Sequence, residues 1–356
     1  DQEKVLLACS IFTMFGFKED LIDHRIFIAK TICEINPDDF YRIVEDIKSS
    51  RRIIEERNRF YRVVPPPLAI TLAARWWSGC SPEKAERILL GEMPEGLVNP
   101  LCDQFRFLNL GPGIIELTSY LCGPQGPFGR AEILISSRGS RIFRSISEVN
   151  PSAAVETLDR VFRDYGKDDL EKIDIGRRNL IWTLENLIFW EATFTKAARL
   201  LLRFAAAETE KGIANNATGQ FNQIFHYLLS GTQAPPHKRL DILDEGLATG
   251  QIEYQKLCID ALGHALWTGH FSRTGSVETQ GSRYSYEDWQ PTKWQEVYDY
   301  WEASLKRLTK YAIEEGELGS QAKKIIENSI PGLLRYGRLD AIETTIVALQ
   351  REYGKF

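Results

Sequence analysis

The 356-residue sequence is poor in the residues on which catalysis and metal binding usually rest. It has five histidines, His24, His226, His237, His264 and His270. A zinc site on a helix needs histidines at i and i+4, or a histidine close to cysteine. His264 and His270 stand six apart, so the spacing predicts packed or exposed histidines and no metal. The six cysteines form no C-x-x-C, and most sit in apolar helical stretches, as in Ile32-Cys33 and Leu257-Cys258. They read as reduced core thiols of a cytoplasmic protein. There is no G-x-x-x-x-G-K-[ST] phosphate loop: Gly166-Lys167 and Gly354-Lys355 lack the upstream glycine and the following hydroxyl. Gly111-Pro112-Gly113 does not continue into a dinucleotide fingerprint, and no G-x-S-x-G elbow occurs. No apolar run approaches the roughly 18 residues of a membrane span. Net charge is −5 and the isoelectric point is near 5.7, which gives no bulk attraction to nucleic acid or anionic lipid.

Helix signals are abundant. Apolar residues predict a first helix over 3–15 and a second over 21–34. Asn36-Pro37-Asp38-Asp39 combines a favoured N-cap, a proline suited to the first helical position and early acids that suit the dipole. Phe40, Ile43, Val44 and Ile47 follow at helical spacing, predicting a third helix. Ile53–Glu56 and Phe60–Val64 flank Arg57-Asn58-Arg59, the pattern of a β-hairpin. Three helices and then a hairpin within the first 66 residues is the winged-helix order. Pro65, Pro66 and Pro67 then read as a stiff extended hinge.

Beyond the prolines the pattern is helical, with starts at Ser81-Pro82, Asn99-Pro100 and Asn150-Pro151. The Gly/Pro-rich stretch from Cys122 to Gly129 marks a candidate subdomain seam. Later helices come in pairs, 178–189 with 193–209 and 237–248 with 251–268, and two more over 317–329 and 333–352 close the chain. The fold class expected is mainly α: a winged-helix module over 1–66, a helical subdomain over 67–165, and an α-solenoid of TPR- or HEAT-like pairs over 166–356.

The segment 270–290 is the longest without helical periodicity. Phe271, Arg273, Arg283, Tyr284, Tyr286 and Trp289 are residue types enriched at binding hot spots, so this is the candidate partner-binding loop. The competing reading is a loop packed on its own scaffold. Glu185, Glu191 and Glu208 near Trp182 and Trp190 suggest an all-α hydrolase, but no spacing fixes an acid–base pair. A DNA-reading helix would be the third. Its residues 37–48 carry Asp38, Asp39, Glu45 and Asp46 against Arg42 and Lys48, four negative and two positive, which disfavours phosphate contact. The hairpin is more basic, with Arg51, Arg52, Arg57, Arg59 and Arg62 forming a candidate basic wing.

The order of elements, with YRVVPPPLAITLAARWW, PFGRAEILISSRGSRIFRSISEVNPSAAVETL, LENLIFWEATFTKAARLLLRFAAAE and GQFNQIFHYLLSGTQAPPHKRLDILDEGL, resembles the carboxyl-terminal portion of bacterial STAND proteins of the NACHT and NB-ARC type. The resemblance implies a non-enzymatic sensor fragment. In the parent chain it would follow an NTPase domain, the place for ATP or ADP and Mg2+, and an effector. The sequence opens Asp1-Gln2-Glu3-Lys4 and its first methionine is Met14, which fits that expectation of a piece of something longer. The resemblance further implies a protein trigger, self-oligomerisation on activation, a role in anti-phage defence, and neither membrane nor nucleic acid as partner. Family members that sense nucleotide with a histidine just after the wing carry an M-H-D pattern; Val64-Pro65-Pro66-Pro67 has none. The alternative class is a winged-helix nucleic-acid-binding regulator with a helical ligand-binding domain.

Overall fold

The computed structural model describes residues 1–91, 93–109, 111–269 and 287–353. The chain is mainly α-helical, with one small antiparallel sheet. No helix among the described residues is long and apolar enough to cross a membrane. Two compact units form. The first holds Asp1–Asp164 with Ile173–Thr183, and the second holds Tyr165–Lys172 with residues 184–269 and 287–353.

The first unit begins with α1 (Gln2–Ser10), strand β1 (Phe15–Gly16), α2 (Ile22–Phe27) continued by a π-helical turn (Ile28–Cys33), and α3 (Pro37–Arg51). The hairpin β2 (Ile54–Arg57) and β3 (Phe60–Val63) follows, then α4 (Pro66–Ser78). α1 is shorter than its apolar pattern predicts. Phe12, Phe15 and Phe17 are fully buried, and β1 draws residues 15–16 out of helix to pair with Tyr61 and Phe60. Strand order is β1-β3-β2. Asn58 turns the hairpin at φ 56°, a left-handed conformation that asparagine tolerates.

Asn36 caps α3 as the sequence predicts, its side chain accepting from the Asp38 N–H at 2.8 Å. Ser81, Ser136, Asn150 and Asn216 cap their helices in the same way. Asn99 does not act as a cap, because the helix starts at Val98 and places Pro100 in the first turn, where its missing N–H costs nothing. The prolines are not an extended joint. Only Pro65 is extended, after a cis Val64–Pro65 bond; Pro66 and Pro67 are the first turn of α4, the one place where a helix accepts them. α4 packs on α1, β3 and the helix Pro112–Cys122. The stretch Cys122–Gly129 ends in a short 3-10 turn over Pro127–Gly129. It lies inside the first unit, tied down by Thr157 Oγ1 and Arg160 donating to the Cys122 carbonyl.

An aromatic stack fills the space between sheet and helices. Phe17 lies parallel to Tyr61 at 4.2 Å and to Tyr41 at 5.3 Å. The Tyr61 hydroxyl donates to Glu45 and accepts from Lys48 at 2.8 Å. Lys48 also pairs with Glu45 at 2.7 Å and Glu56 at 2.9 Å. Hydrogen bonds from Lys18 and then Lys48 hold the Glu56 carboxyl down at about 2.

The second unit is a succession of packed helices: Glu191–Ala206, Ala217–Gln223, Pro236–Ala248, Ile252–Ala265, Trp294–Ala312, Glu317–Arg335 and Leu339–Tyr353. The sequence pattern predicts a break near 330, but the helix runs through Pro331 and ends at Arg335, ahead of Gly337 at φ 73°. Proline has no N–H, so the Glu327 carbonyl lacks its intrahelical donor.

Phe17→Ala removes a fully buried ring that the rings of Phe15, Phe40, Tyr41 and Tyr61 contact. It is expected to cost about 3–5 kcal/mol, measured from urea unfolding midpoints. A loss under about 1 kcal/mol would mean that the stack does not hold the sheet.

Candidate functional site

Sequence reasoning treats the histidines separately, yet the second unit brings two of them together. His226 follows the short helix Ala217–Gln223, and His264 lies near the end of Ile252–Ala265. His264 Nδ1 and His226 Nε2 are 3.2 Å apart, with the rings crossing at 78°.

His226 is positioned through its own backbone. Arg239 is fully buried and donates through Nη1 to the His226 carbonyl at 2.8 Å and through Nε to the Ala234 carbonyl at 2.7 Å. The Tyr300 hydroxyl donates to the Phe225 carbonyl at 2.9 Å. Burial pulls Arg239 down to about 10, well above neutrality, so it stays charged. Its guanidinium stacks on Trp289, 5.4 Å from the ring centre. Asp288 accepts from the Gly231 N–H at 2.7 Å, and the Trp289 N–H donates to the Thr232 carbonyl at 2.8 Å. Asp288 and Trp289, adjacent in the sequence and half-buried, therefore hold the loop that carries His226.

His264 lines a cleft of about 480 Å³ with Asn222, Asp260, Trp267, Thr268, Ser329 and Arg335, among others. Trp267 leaves about half its surface exposed. Asp260 is held by Gln321, which donates to it at 2.6 Å. The Asn222 Oδ1 is buried and has no hydrogen-bond partner among the described residues. Gly332 makes the closest approach between two walls, because a Cβ there would lie 1.9 Å from Thr268 Oγ1 and 3.1 Å from its Cβ. Burial lowers the pKa of both histidines, His226 to about 3 with a further push from His264. The pair is neutral at pH 7, one ring nitrogen donating and the other accepting.

The residues singled out from sequence fare differently. Phe271, Arg273, Arg283, Tyr284 and Tyr286 lie outside the described residues, and so does His270. Trp289 is described and packs on Arg239. In the hairpin, Arg57 and Arg62 pair with Glu55 and Arg59 pairs with Asp20, while no ion pair joins Arg51 or Arg52 among the described residues. Of the acids weighed for hydrolysis, Glu191 pairs with Lys238, and Glu208 accepts from the Glu210 and Thr218 backbone N–H groups. The Trp182 ring carries Arg144 at 4.7 Å. The histidine pair left no local signal, because 38 residues separate its members.

Among the described residues no group of three or more His, Cys, Asp or Glu is arranged to hold a metal ion. Comparison with protein-family models, with curated proteins and with solved structures finds no match.

The unfolded chain takes up a proton on His226 near 6.5, the folded chain only near pH 3. Between those values the unfolded state holds more protons, so this contribution is whole above about pH 6.5 and drains away as pH falls. Lowering the pH from about 6.5 to 5 is expected to remove about 2 kcal/mol through His226. The urea midpoint of the parent should therefore fall more steeply over that interval than that of His226→Gln. Equal slopes would show that the pair is not held neutral.

Proposed function

We propose that this chain is the regulatory, sensing portion of a bacterial STAND-type signalling protein. In this reading it has no catalytic role of its own. It recognises a protein trigger and relays that event to NTPase and effector domains elsewhere in the parent chain, in a cytoplasmic defence response. The observation that carries the proposal is the element order α1-β1-α2-α3-β2-β3 with strand order β1-β3-β2, in a chain that continues as packed helices; we read that order as a winged-helix module. The later helices supply the extended faces of a TPR- or HEAT-like solenoid, which flexes by small rotations between repeats.

The surface of α3 favours relay over DNA reading. Arg42 is tied to Asp39, and Lys48 to Glu45 and Glu56, so two of the three cations on this helix are already neutralised. A helix in that state gains little from releasing phosphate counterions. The Pro65–Pro67 turn gives α4 a rigid start, through which motion of the helices passes to the sheet module. A trigger shifts such a switch only by its differential affinity for the two states, about 5.5 kcal/mol for full reversal, which an extensive protein interface supplies.

Two measurements bear on this. Titrated with duplex DNA at about 50 mM salt, the chain is expected to give no retarded species. Retardation that weakens with salt and disappears in a double Arg51→Ala, Arg52→Ala variant would favour the nucleic-acid-binding regulator instead. The reading frame continuous with Asp1 is expected to encode a G-x-x-x-x-G-K-[ST] loop upstream. A complete frame without one would remove the relay.

A further inference from the structure

We propose that His226 and His264 form a binding site for a zinc-like divalent transition metal, with the Asn222 amide oxygen and water from the cleft as the remaining ligands. The proposal is independent of the sensing role above.

The geometry suits a shared ion. Zinc binds imidazole nitrogen at about 2.0–2.1 Å, so two nitrogens on one tetrahedral ion stand about 3.3 Å apart. The observed separation of Nδ1 and Nε2 is 3.2 Å. The rings cross at 78° with centres 5.1 Å apart, so these two nitrogens face each other without the rings stacking. Both imidazoles are neutral, the form that coordinates metal. The second observation is Asn222. A buried amide oxygen without a donor is costly, and this one belongs to the cleft that His264 lines. Coordination would satisfy it. The cleft supplies the entry path and the water for an open position.

Protons balance without release. In the metal-free pair one hydrogen lies between the two facing nitrogens. On binding, it moves to the outer nitrogen of the same ring, and both rings remain neutral. The donor set of two imidazoles, one amide oxygen and water suits Zn2+, Co2+, Ni2+ or Cu2+ over Mg2+ or Ca2+, which prefer oxygen-only shells. Arg239 and Tyr300 hold the backbone on either side of the 225–226 peptide, so His226 presents its nitrogen from a fixed base.

The test uses the chelator-treated chain and simple metal salts. Co2+ titration is expected to give the visible ligand-field bands of a four- or five-coordinate nitrogen-bound ion at one equivalent. Zn2+ is expected to displace it and to raise the melting temperature, while Mg2+ does neither. His264→Gln should weaken Co2+ binding at least tenfold, and His237→Gln, at an exposed position, should leave it unchanged. Should His264→Gln fail to fold, imidazole 15N NMR of the parent chain decides. Added Zn2+ must then move the His226 and His264 nitrogens and leave His24 and His237 in place. No ligand-field bands, equal Co2+ affinity in His264→Gln, or Zn2+ shifts confined to other histidines would each overturn the proposal.

Discussion

A buried carbonyl or amide that no helix pairs internally must find another partner, and this requirement organises both compact units. In the first, asparagine and serine side chains close helix after helix, and Thr157 with Arg160 takes up the Cys122 carbonyl where a Gly/Pro-rich turn offers nothing. In the second, the loop between residues 225 and 235 carries carbonyls inside the protein with no secondary structure to absorb them. Arg239 and Tyr300 do so. An arginine is suited to the task because its planar fork reaches two carbonyls at once. That anchoring holds the backbone from which His226 meets His264.

The sheet module shows the same economy with charge. Tyr61, Lys48, Glu45 and Glu56 form one connected set above the Phe17 ring. The opposite charges neutralise each other within the module. The relay proposed for this module rests on that balance.

Much of the helical architecture was legible in the sequence, because the signals are local. Asn36-Pro37, Ser81-Pro82 and Asn150-Pro151 announce helix starts through cap chemistry, and the structure places helices there. The hairpin was legible for the same reason: two β-branched and aromatic runs flank a residue that tolerates positive φ. Strand β1 was not, since two residues carry no periodicity and their pairing with β3 spans more than forty positions. The three prolines misled, because the same residues that stiffen an extended linker also open a helix. The histidine pair was invisible for the reason β1 was, and so was the stacking of Trp289 on Arg239. Sequence patterns report what neighbours along the chain do. They are silent on which distant segments the core brings together.

Gly332 sets how closely two walls of the cleft can stand. Thr268 stands so close that even a methyl group would collide with its hydroxyl. A side chain at this position, directly after the helix-embedded Pro331, would therefore press the two walls apart, and the width of the cleft depends on the bare backbone there.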